Sequence, residues 1–305
     1  RLTALTTGLS YEAFFFNRRL QTAVTAKHFL IGSRAKMLHN FYLRDIKTIH
    51  INRSEWGANF AACYRITPLW TVKGSVASEV RIPTSEELLG NSFNILPSPD
   101  LLPERNKSVN AGVLYRRPFS DDRVWEAEVN VYMSELTDMV RFTPDLLPTM
   151  ARYTNFGQVR TMGIEAEIKA DVTRWCYLYA NGTWQDLRDR RRTFPNSKAP
   201  NPTYDLRIPN IPYLMANFGG ELHRANLFGR GQNTRLLLDA SYVHRYSYDF
   251  EMGAYLEKLI PTSLTFDAAI EQSFANRRWT LTLKVKNLTD RETVSEFNRP
   301  LPGRT

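Results

Sequence analysis

Cationic and aromatic side chains in the long polar segments of this chain are its best candidates for binding chemistry. Guanidinium groups attract anions, and phenol rings stack on flat or cationic groups, so these residue types suit ligand binding more than bond cleavage. Two plainer interpretations stay open, because the arginines could be solvated charges and the same residues could hold sugar rings. The candidate ligand-binding residues are Arg152, Tyr153, Arg188, Arg190, Arg191, Arg192, Tyr246 and Tyr248.

Signatures of covalent catalysis are missing from the sequence. It has no nucleophile elbow, Walker loop, G-x-G-x-x-G motif or H-E-x-x-H zinc motif. The histidines are scattered, which favours ordinary polar roles, and no spacing suggests a metal site. We therefore predict a protein that is not an enzyme and has no catalytic residue, metal site or cofactor. The five histidines are His28, His39, His50, His223 and His244.

Two alternating runs within Val124 to Ala170 organise the chain. A period of two puts the apolar and the polar residues of a run on opposite faces of a β-strand. The apolar set is Trp125, Ala127, Val129, Val131, Met133, Met162, Ile164, Ala166 and Ile168. The polar set includes Glu126, Glu128, Glu165, Glu167 and Lys169. Each strand is therefore expected to have one apolar face and one charged face.

The same alternation recurs in about twelve runs of roughly nine to thirteen residues, the length at which tilted strands cross a bilayer. Short and long connections alternate strictly between the runs. An antiparallel meander in a membrane shows this parity when one rim has tight turns and the other has long loops. We predict an all-β fold, a transmembrane antiparallel barrel. The predicted long connections are 32–55, 82–108, 143–158, 186–212 and 247–261.

Composition agrees with this prediction. The 305 residues carry a net charge of +9, and the mean hydropathy is −0.39. No apolar run approaches the ~18 residues of a membrane-spanning helix. No dense Lys/Arg tract or aromatic RNA-binding signature is present, so we expect no nucleic-acid partner and interpret the charge as dispersed over loops. A soluble all-β domain that binds polyanions is the alternative.

Individual residues follow the predicted faces. Cys63 falls on a polar face and Cys176 on an apolar face, so we expect no disulfide between them. Several aromatic residues lie in the apolar phase near predicted strand ends, where membrane-interface girdles occur. These aromatic residues are Trp56, Trp125, Trp184, Tyr242 and Trp279.

Five motifs, in order along the chain, resemble those of TonB-dependent outer-membrane receptors. The R-x-P-T-x-x-E-L-x-G pattern and the N-P-x-L-x-P-E-like pattern of that family are matched near 81–90 and 99–104, although Ser98 stands where the family usually has Asn. The Y-x-N-x-G … G-I-E, N-L-x-D and P-G-R elements follow. The matching residues are Arg81, Pro83, Thr84, Glu87, Leu88, Gly90, Asn155, Gly157, Gly163, Glu165, Asn287, Leu288, Asp290, Pro302, Gly303 and Arg304.

The resemblance implies that residues 1–305 are the C-terminal portion of a 22-stranded barrel. The plug domain, the early strands and the final strand would then lie outside this chain, and the long loops would be extracellular. It also implies a multi-pass location in the bacterial outer membrane and TonB-energised uptake of a scarce nutrient such as a ferric siderophore. A glycan or cobalamin importer of the same family, or a passive porin-like barrel, is the alternative.

The resemblance implies three kinds of partner. The TonB protein would act through a plug that is not present here. Lipopolysaccharide and outer-membrane lipid would surround the barrel, and the loop arginines could contact lipopolysaccharide phosphates. A small molecule, such as an anionic ferric chelate, would bind the cationic and aromatic loop residues.

Overall fold

The computed structural model describes residues 2–40, 45–91, 93–144, 149–193, 199–248, 258–296, 299–301 and 303–305. In chain order the elements are β1 (Leu2–Phe15), β2 (Leu20–Asn40), β3 (Asp45–Arg65), β4 (Trp70–Arg81), α1 (Ser85–Leu89), β5 (Ile95–Leu96), β6 (Glu104–Pro118), β7 (Val124–Thr137), β8 (Val140–Pro144), β9 (Ala151–Asn155), β10 (Val159–Thr173), β11 (Cys176–Asp189), β12 (Leu214–Ala225), β13 (Asn233–Val243), β14 (Tyr246–Ser247), β15 (Leu259–Ile260), β16 (Ser263–Phe274), β17 (Trp279–Val285), β18 (Val294–Glu296) and β19 (Arg299–Pro300).

One sheet dominates the described residues. Its twelve strands follow the order β1-β2-β3-β4-β6-β7-β10-β11-β12-β13-β16-β17, and neighbouring strands are antiparallel. The sheet is therefore a meander, which confirms the predicted all-β antiparallel fold. From β3 onward its connections alternate between tight turns and long segments. The tight turns are 16–19, 66–69, 119–123, 174–175, 226–232 and 275–278.

The register of β7, β10 and β11 confirms the two faces. Ile164 lies opposite Val131 on one side and Trp184 on the other. Glu165 lies opposite Asn130 and Thr183. Apolar residues therefore meet apolar residues across the strands, and polar residues meet polar ones.

The apolar face is open rather than buried. Val129 is 48% exposed and Ile168 is 53% exposed, and large apolar side chains are exposed in every strand of the sheet from β1 to β17. An exposed apolar surface of this extent is what lipid requires of the outer wall of a barrel.

The opposite face carries paired charges. Lys73 forms an ion pair with Glu128, which also accepts a hydrogen bond of 2.6 Å from Asn130. Lys169 lies 2.7 Å from the Glu167 carboxylate. Such a wall cannot be the apolar core of a soluble barrel, so it lines a polar lumen.

The buried apolar residues lie mostly outside the membrane-crossing strands. Leu88, Leu101, Phe156, Val159 and Ile260 are each 9% exposed or less, and all five belong to the end of the molecule that carries the long connections. The long connections are therefore packed structure, with their own small core.

The prediction of a long polar loop from 32 to 55 is wrong. β2 and β3 continue through most of this segment and pair from Leu20 opposite Tyr64 to Asn40 opposite Asp45. The error arises because charged and polar residues interrupt both phases of this stretch, so the period-two signal is weak although the backbone extends the hydrogen-bonded ladder. As a result Trp56 lies in the middle of β3, whereas Trp125, Tyr242 and Trp279 lie at strand ends as predicted.

Both cysteines are free, so the prediction of no disulfide is confirmed. Their register also agrees with the predicted faces, since Cys63 lies opposite Lys73 and Cys176 opposite Leu222. A search of the described residues finds no helix with the length and apolarity needed to cross a membrane.

Candidate functional site

The long connections between β4 and β6 and between β7 and β10 join into one platform. β5, β9 and β8 form a three-stranded sheet that contains segments of both connections. Asn155 links them further: its Nδ2 donates to the carbonyl oxygens of Leu102 (3.0 Å) and Asp138 (2.7 Å), and its Oδ1 accepts from the Leu102 amide (2.8 Å). Asn155 is thus a clamp between two loops.

An arginine–carboxylate cluster fixes the base of this platform. Arg81, the last residue of β4, donates to both oxygens of Glu104 at 2.7 and 2.8 Å and to Glu87 at 3.0 and 3.1 Å. Burial alone would raise the pKa of Glu104. The hydrogen bonds from Arg81 and from the Val140 amide, with the charge of Arg81, outweigh burial and hold that pKa below its usual value.

The helix α1 owes its start and its end to residues of the same motif. Thr84 caps its first turn, because its hydroxyl accepts from the Glu87 amide (3.3 Å) and the Glu87 carboxylate accepts from the Thr84 amide (2.7 Å). Gly90 ends it at a φ of +68°, where a Cβ would collide with the Ile95 carbonyl oxygen. Leu88 is the buried residue of the helix, and Pro83, just before it, is buried too.

The connection between β11 and β12 is latched onto the same platform. The Arg191 guanidinium lies 3.7 Å from the centre of the Phe156 ring. The Cγ and Cδ atoms of the same side chain occupy the space in which a Cβ on Gly157 would lie. Arg191 also donates to the fully buried Asp189 carboxylate at 3.0 and 2.8 Å. Three successive long connections therefore behave as one packed unit.

Asp189 is held as a carboxylate by its surroundings. Asn201 Nδ2 (2.9 Å) and Thr203 Oγ1 (2.7 Å) donate to it in addition to Arg191. Burial would raise the pKa of Asp189, but these hydrogen bonds and the Arg191 side chain and amide together lower it below its usual range.

Two more of the predicted ligand arginines are paired with acids of their own connection. Arg188 donates to Asp186 at 2.6 Å, and Arg190 lies 2.5 Å from the Asp205 carboxylate. Arg207 donates to the other oxygen of Asp186 at 2.7 Å. Much of the positive charge predicted to face a ligand is therefore balanced inside the loop.

The other predicted ligand residues are dispersed over the loop surface. Arg152 in β9 and Arg192 are exposed. Tyr153 makes an edge contact with Phe142 (ring centres 5.2 Å apart), and its ring is half-buried. Tyr246 and Tyr248 are half-buried near β14, and burial together with the nearby Tyr248 raises the pKa of Tyr246. The structure thus brings Arg188, Arg190 and Arg191 together. The connection between β11 and β12 also contacts β14, because the Asn210 amide donates to the Ser247 carbonyl oxygen at 2.8 Å.

The N-L-x-D motif forms a tight corner after β17. The Asn287 amide donates to the Asp267 carboxylate (2.9 Å), and the Asn287 side chain donates to the Arg291 carbonyl oxygen (2.8 Å) and accepts from the Arg291 amide (3.0 Å). Asn287 adopts a φ of +51°. The Leu288 amide donates to the Phe266 carbonyl oxygen, and the Leu288 side chain is exposed.

The P-G-R motif meets that corner. The Asp290 carboxylate accepts from the Arg304 amide (2.9 Å) and occupies the space beside Gly303. Pro302 lies outside the described residues. Two motifs that are distant in the sequence therefore form one structural unit.

The remaining motif residues line the lumen. A Cβ on Gly163 would lie 2.5 Å from the Tyr132 hydroxyl, so glycine is needed for the phenol to lie across the strand. Glu165 belongs to the same wall. Towards the tight turns this wall opens into a cavity of about 810 Å³, where Arg235 donates to Glu221 at 2.9 Å and to Glu271 at 3.3 Å beside His223.

Sequence reasoning missed the acidic partners of the loop arginines. Asp186 and Arg188, like Asp189 and Arg191, are two residues apart, and that spacing puts both members of a pair on one face of a strand. This signal could have indicated internal ion pairs. The contacts with Asp205, Asn201 and Phe156 are long-range and leave no local pattern. Across the residues that the structure describes, no group of His, Cys, Asp and Glu is arranged to hold a metal ion.

Comparison with known proteins gives a consistent fold. A family model described as "TonB dependent receptor-like, beta-barrel" matches residues 5–288. The siderophore receptor PiuA from Acinetobacter baumannii is similar in structure, with a TM-score of 0.70 and 16% identity over 99% of this chain and 42% of that one. The copper transporter OprC is also similar in structure, with a TM-score of 0.70 and 16% identity over 99% of this chain and 47% of that one.

The ferric yersiniabactin uptake receptor FyuA from Yersinia pestis gives a TM-score of 0.65 and 18% identity, over 99% of this chain and 44% of that one. The chain thus spans less than half the length of each of these three structures. At such identities the likeness shows the fold alone. A search of the curated proteins found no match.

Proposed function

We propose a transport function because this chain belongs to the TonB-dependent receptor β-barrel family. The complete protein would be an outer-membrane receptor that takes up a scarce nutrient, such as a ferric siderophore, with energy delivered through TonB. The observation that supports this most is the loop platform: three long connections are packed into one rigid unit at a single end of a lipid-facing barrel wall. Passive pores have no need of such a platform, whereas a receptor needs a preformed surface.

The chain would supply the C-terminal portion of the barrel. Its share of the solved structures, between 42% and 47% of the three described above, supports this assignment. A plug domain inside the complete barrel would contact TonB, and the charged lumen wall would face that plug. Because barrels of this kind have short periplasmic turns and long external loops, the platform would be extracellular.

The ligand would be a small anionic chelate. Arg152 and Arg192 offer exposed positive charge on the platform side, and Tyr153 adds an aromatic surface. The paired arginines Arg188 and Arg190 would hold the loop in shape rather than meet the ligand first. The solved structures named above include a siderophore receptor and a copper transporter, so the fold is compatible with more than one cargo.

Uptake in cells tests this proposal. The complete gene would be deleted in its host, and accumulation of radioactive iron from added ferric siderophores would be compared in the deletion, complemented and TonB-deficient strains. We expect uptake to disappear in the deletion strain and in the TonB-deficient strain, while surface binding persists in the latter. Uptake that is independent of TonB would instead support the porin-like alternative, and uptake of a glycan or cobalamin in place of iron would reassign the ligand.

A further inference from the structure

Arginine occurs at every tight turn of the barrel wall. The six turns and the two residues on either side of each contain Arg18, Arg19, Arg65, Arg117, Arg123, Arg174, Arg224, Arg230, Arg277 and Arg278. We call these residues the arginine rim. Every turn contributes at least one, so the positive charge follows the whole edge of the sheet.

The arginine rim accounts for nearly all of the net charge. It contains ten of the forty Lys and Arg residues but only two of the 31 acids, Asp121 and Asp122, so its excess is eight of the nine positive charges. The remainder of the chain is almost neutral, including the loop platform with its internal ion pairs. The prediction was that the charge is dispersed over loops. The net positive charge is instead concentrated in the arginine rim.

Few of these arginines are satisfied within the described residues. Arg123 and Arg174 both pair with Asp121, at 2.8 and 3.3 Å. The other eight form no ion pair with a carboxylate in the part of the chain that the structure describes, and all eight are exposed. Arg224 and Arg277 line the luminal cavity with Glu221 and Glu271. The charges of the other six are therefore those available to an external anion.

Exposed aromatic residues accompany the arginines along the apolar face. Trp70 is 45% exposed, Trp125 is 42% exposed and Trp279 is 74% exposed. Arg117 and Arg123 both lie over the Phe119 ring, at 5.0 and 5.1 Å from its centre. Phe119 in turn contacts Trp125 on the apolar face. Aromatic rings of this kind mark the headgroup level of a bilayer, and long cationic side chains extend from there towards the phosphates.

We propose that the arginine rim binds the anionic headgroups of phospholipids in the leaflet that faces the tight turns. This inference rests on the proposed membrane location but not on the transported ligand. A basic segment at the membrane surface gains from anionic lipid at each Lys or Arg, and the gain vanishes for a zwitterionic lipid. The exposed aromatic rings on the apolar face beside these turns favour lipid over an acidic soluble protein, because a protein ligand would not require apolar rings next to the charges.

Native mass spectrometry of the complete receptor in detergent tests the proposal. The probes are dioleoylphosphatidylglycerol, which is anionic, and dioleoylphosphatidylcholine, which is zwitterionic. The test variants are Arg65→Gln with Arg278→Gln, and separately Arg18→Gln with Arg19→Gln. The matched control is Lys284→Gln with Lys286→Gln, which removes the same charge from β17 and the residue just after it, away from the turn. Heat-modifiability on gels verifies that each variant has folded.

We expect the wild type to retain phosphatidylglycerol in preference to phosphatidylcholine. Each arginine removed should weaken phosphatidylglycerol retention about fivefold, whereas the lysine control should leave it unchanged. Equal retention of the two lipids, or an equal loss in the lysine control, would overturn the proposal. Equal lipid retention together with binding of polyglutamate would assign the rim to an acidic protein. Iron uptake is measured in a separate experiment. A wrong transport proposal would therefore not change the lipid-retention results.

Discussion

Asn155 joins two loops through one side-chain amide, and its replacement isolates that role. In Asn155→Asp the donor nitrogen becomes an oxygen that faces the carbonyl oxygens of Leu102 and Asp138. A lost and unsatisfied hydrogen bond costs about 1–3 kcal/mol. The retained oxygen still accepts from the Leu102 amide, but repulsion between the carboxylate and the two carbonyl oxygens should push the side chain away from the Leu102 backbone. We therefore expect the Leu102 amide in the complete receptor to exchange its hydrogen roughly five- to one-hundredfold faster. Gln158→Glu, the same chemical change on an exposed neighbour, should leave this exchange unaltered.

Asp189 gives the platform a dependence on pH whose direction follows from its environment. Its pKa is lower in the folded state than in the unfolded chain, where about 4 is usual. The stabilising contribution is therefore complete above that unfolded value and is lost as the pH falls through the folded one. We expect the difference in melting temperature between the wild type and Asp189→Asn to be constant from about pH 7 to 5 and to shrink below about pH 4.

A difference that stayed constant to pH 3 would contradict this interpretation of Asp189. Asp100→Asn is the matched control, because Asp100 is exposed on the same side of the molecule. It should leave the melting temperature unchanged at every pH in the series.

The strand β10 allows the depth of the lipid-facing band to be tested at the level of an element. Ala170 lies opposite Trp125 at one edge of the band, and Ile164 lies opposite Trp184 near the other. Ile168 is therefore closer to the middle. An arginine on the lipid face costs ~2–4 kcal/mol at the midplane and ~0–1 kcal/mol near an interface.

Folding of the complete receptor into liposomes should therefore rank three variants. We expect Ile168→Arg to impair assembly most and Ile164→Arg to impair it less. Glu165→Gln should be mildest, because Glu165 belongs to the lumen wall. The fraction that migrates as folded barrel on unheated gels measures the effect. An equal loss for Ile168→Arg and Glu165→Gln would mean that the assignment of the two faces is wrong.

The elements that could be predicted from the sequence are those whose two faces meet different solvents. In β7 and β10 lipid selects apolar residues at one phase and the lumen selects charges at the other, so alternation alone identifies the strand. In the paired extensions of β2 and β3 the sequence mixes charged and apolar residues without a clear alternation, although the strands continue to pair.

The loop platform lay beyond sequence reasoning for a different reason. Asn155 contacts Leu102, and Arg191 contacts Phe156, across separations that no local period encodes. The motif residues could be named from the sequence, but their roles as caps and clamps follow only from the three-dimensional contacts. The assignment of ligand contacts to Arg152, Tyr153 and their neighbours remains a prediction.

At the scale of the whole molecule, the charged wall raises the question of what fills the lumen. β1 and β17 are the edges of the sheet within the described residues, and twelve strands already exceed the eight or so at which side chains alone can fill a barrel. The interior must therefore contain water or another polypeptide. A porin-like barrel would contain water, whereas a plugged receptor would contain a polypeptide.

Swelling of liposomes that contain the complete receptor distinguishes a water-filled lumen from a plugged one. If a plug covers the carboxylates of Glu165 and Glu167 and the lysine of Lys73, arabinose should not cross, and the swelling rate should equal that of empty liposomes. A matched version of the complete gene, with the region before the barrel deleted, should then admit the sugar, because only water would remain between the charged walls. Rapid swelling with the intact protein would contradict the plugged receptor and support the passive pore.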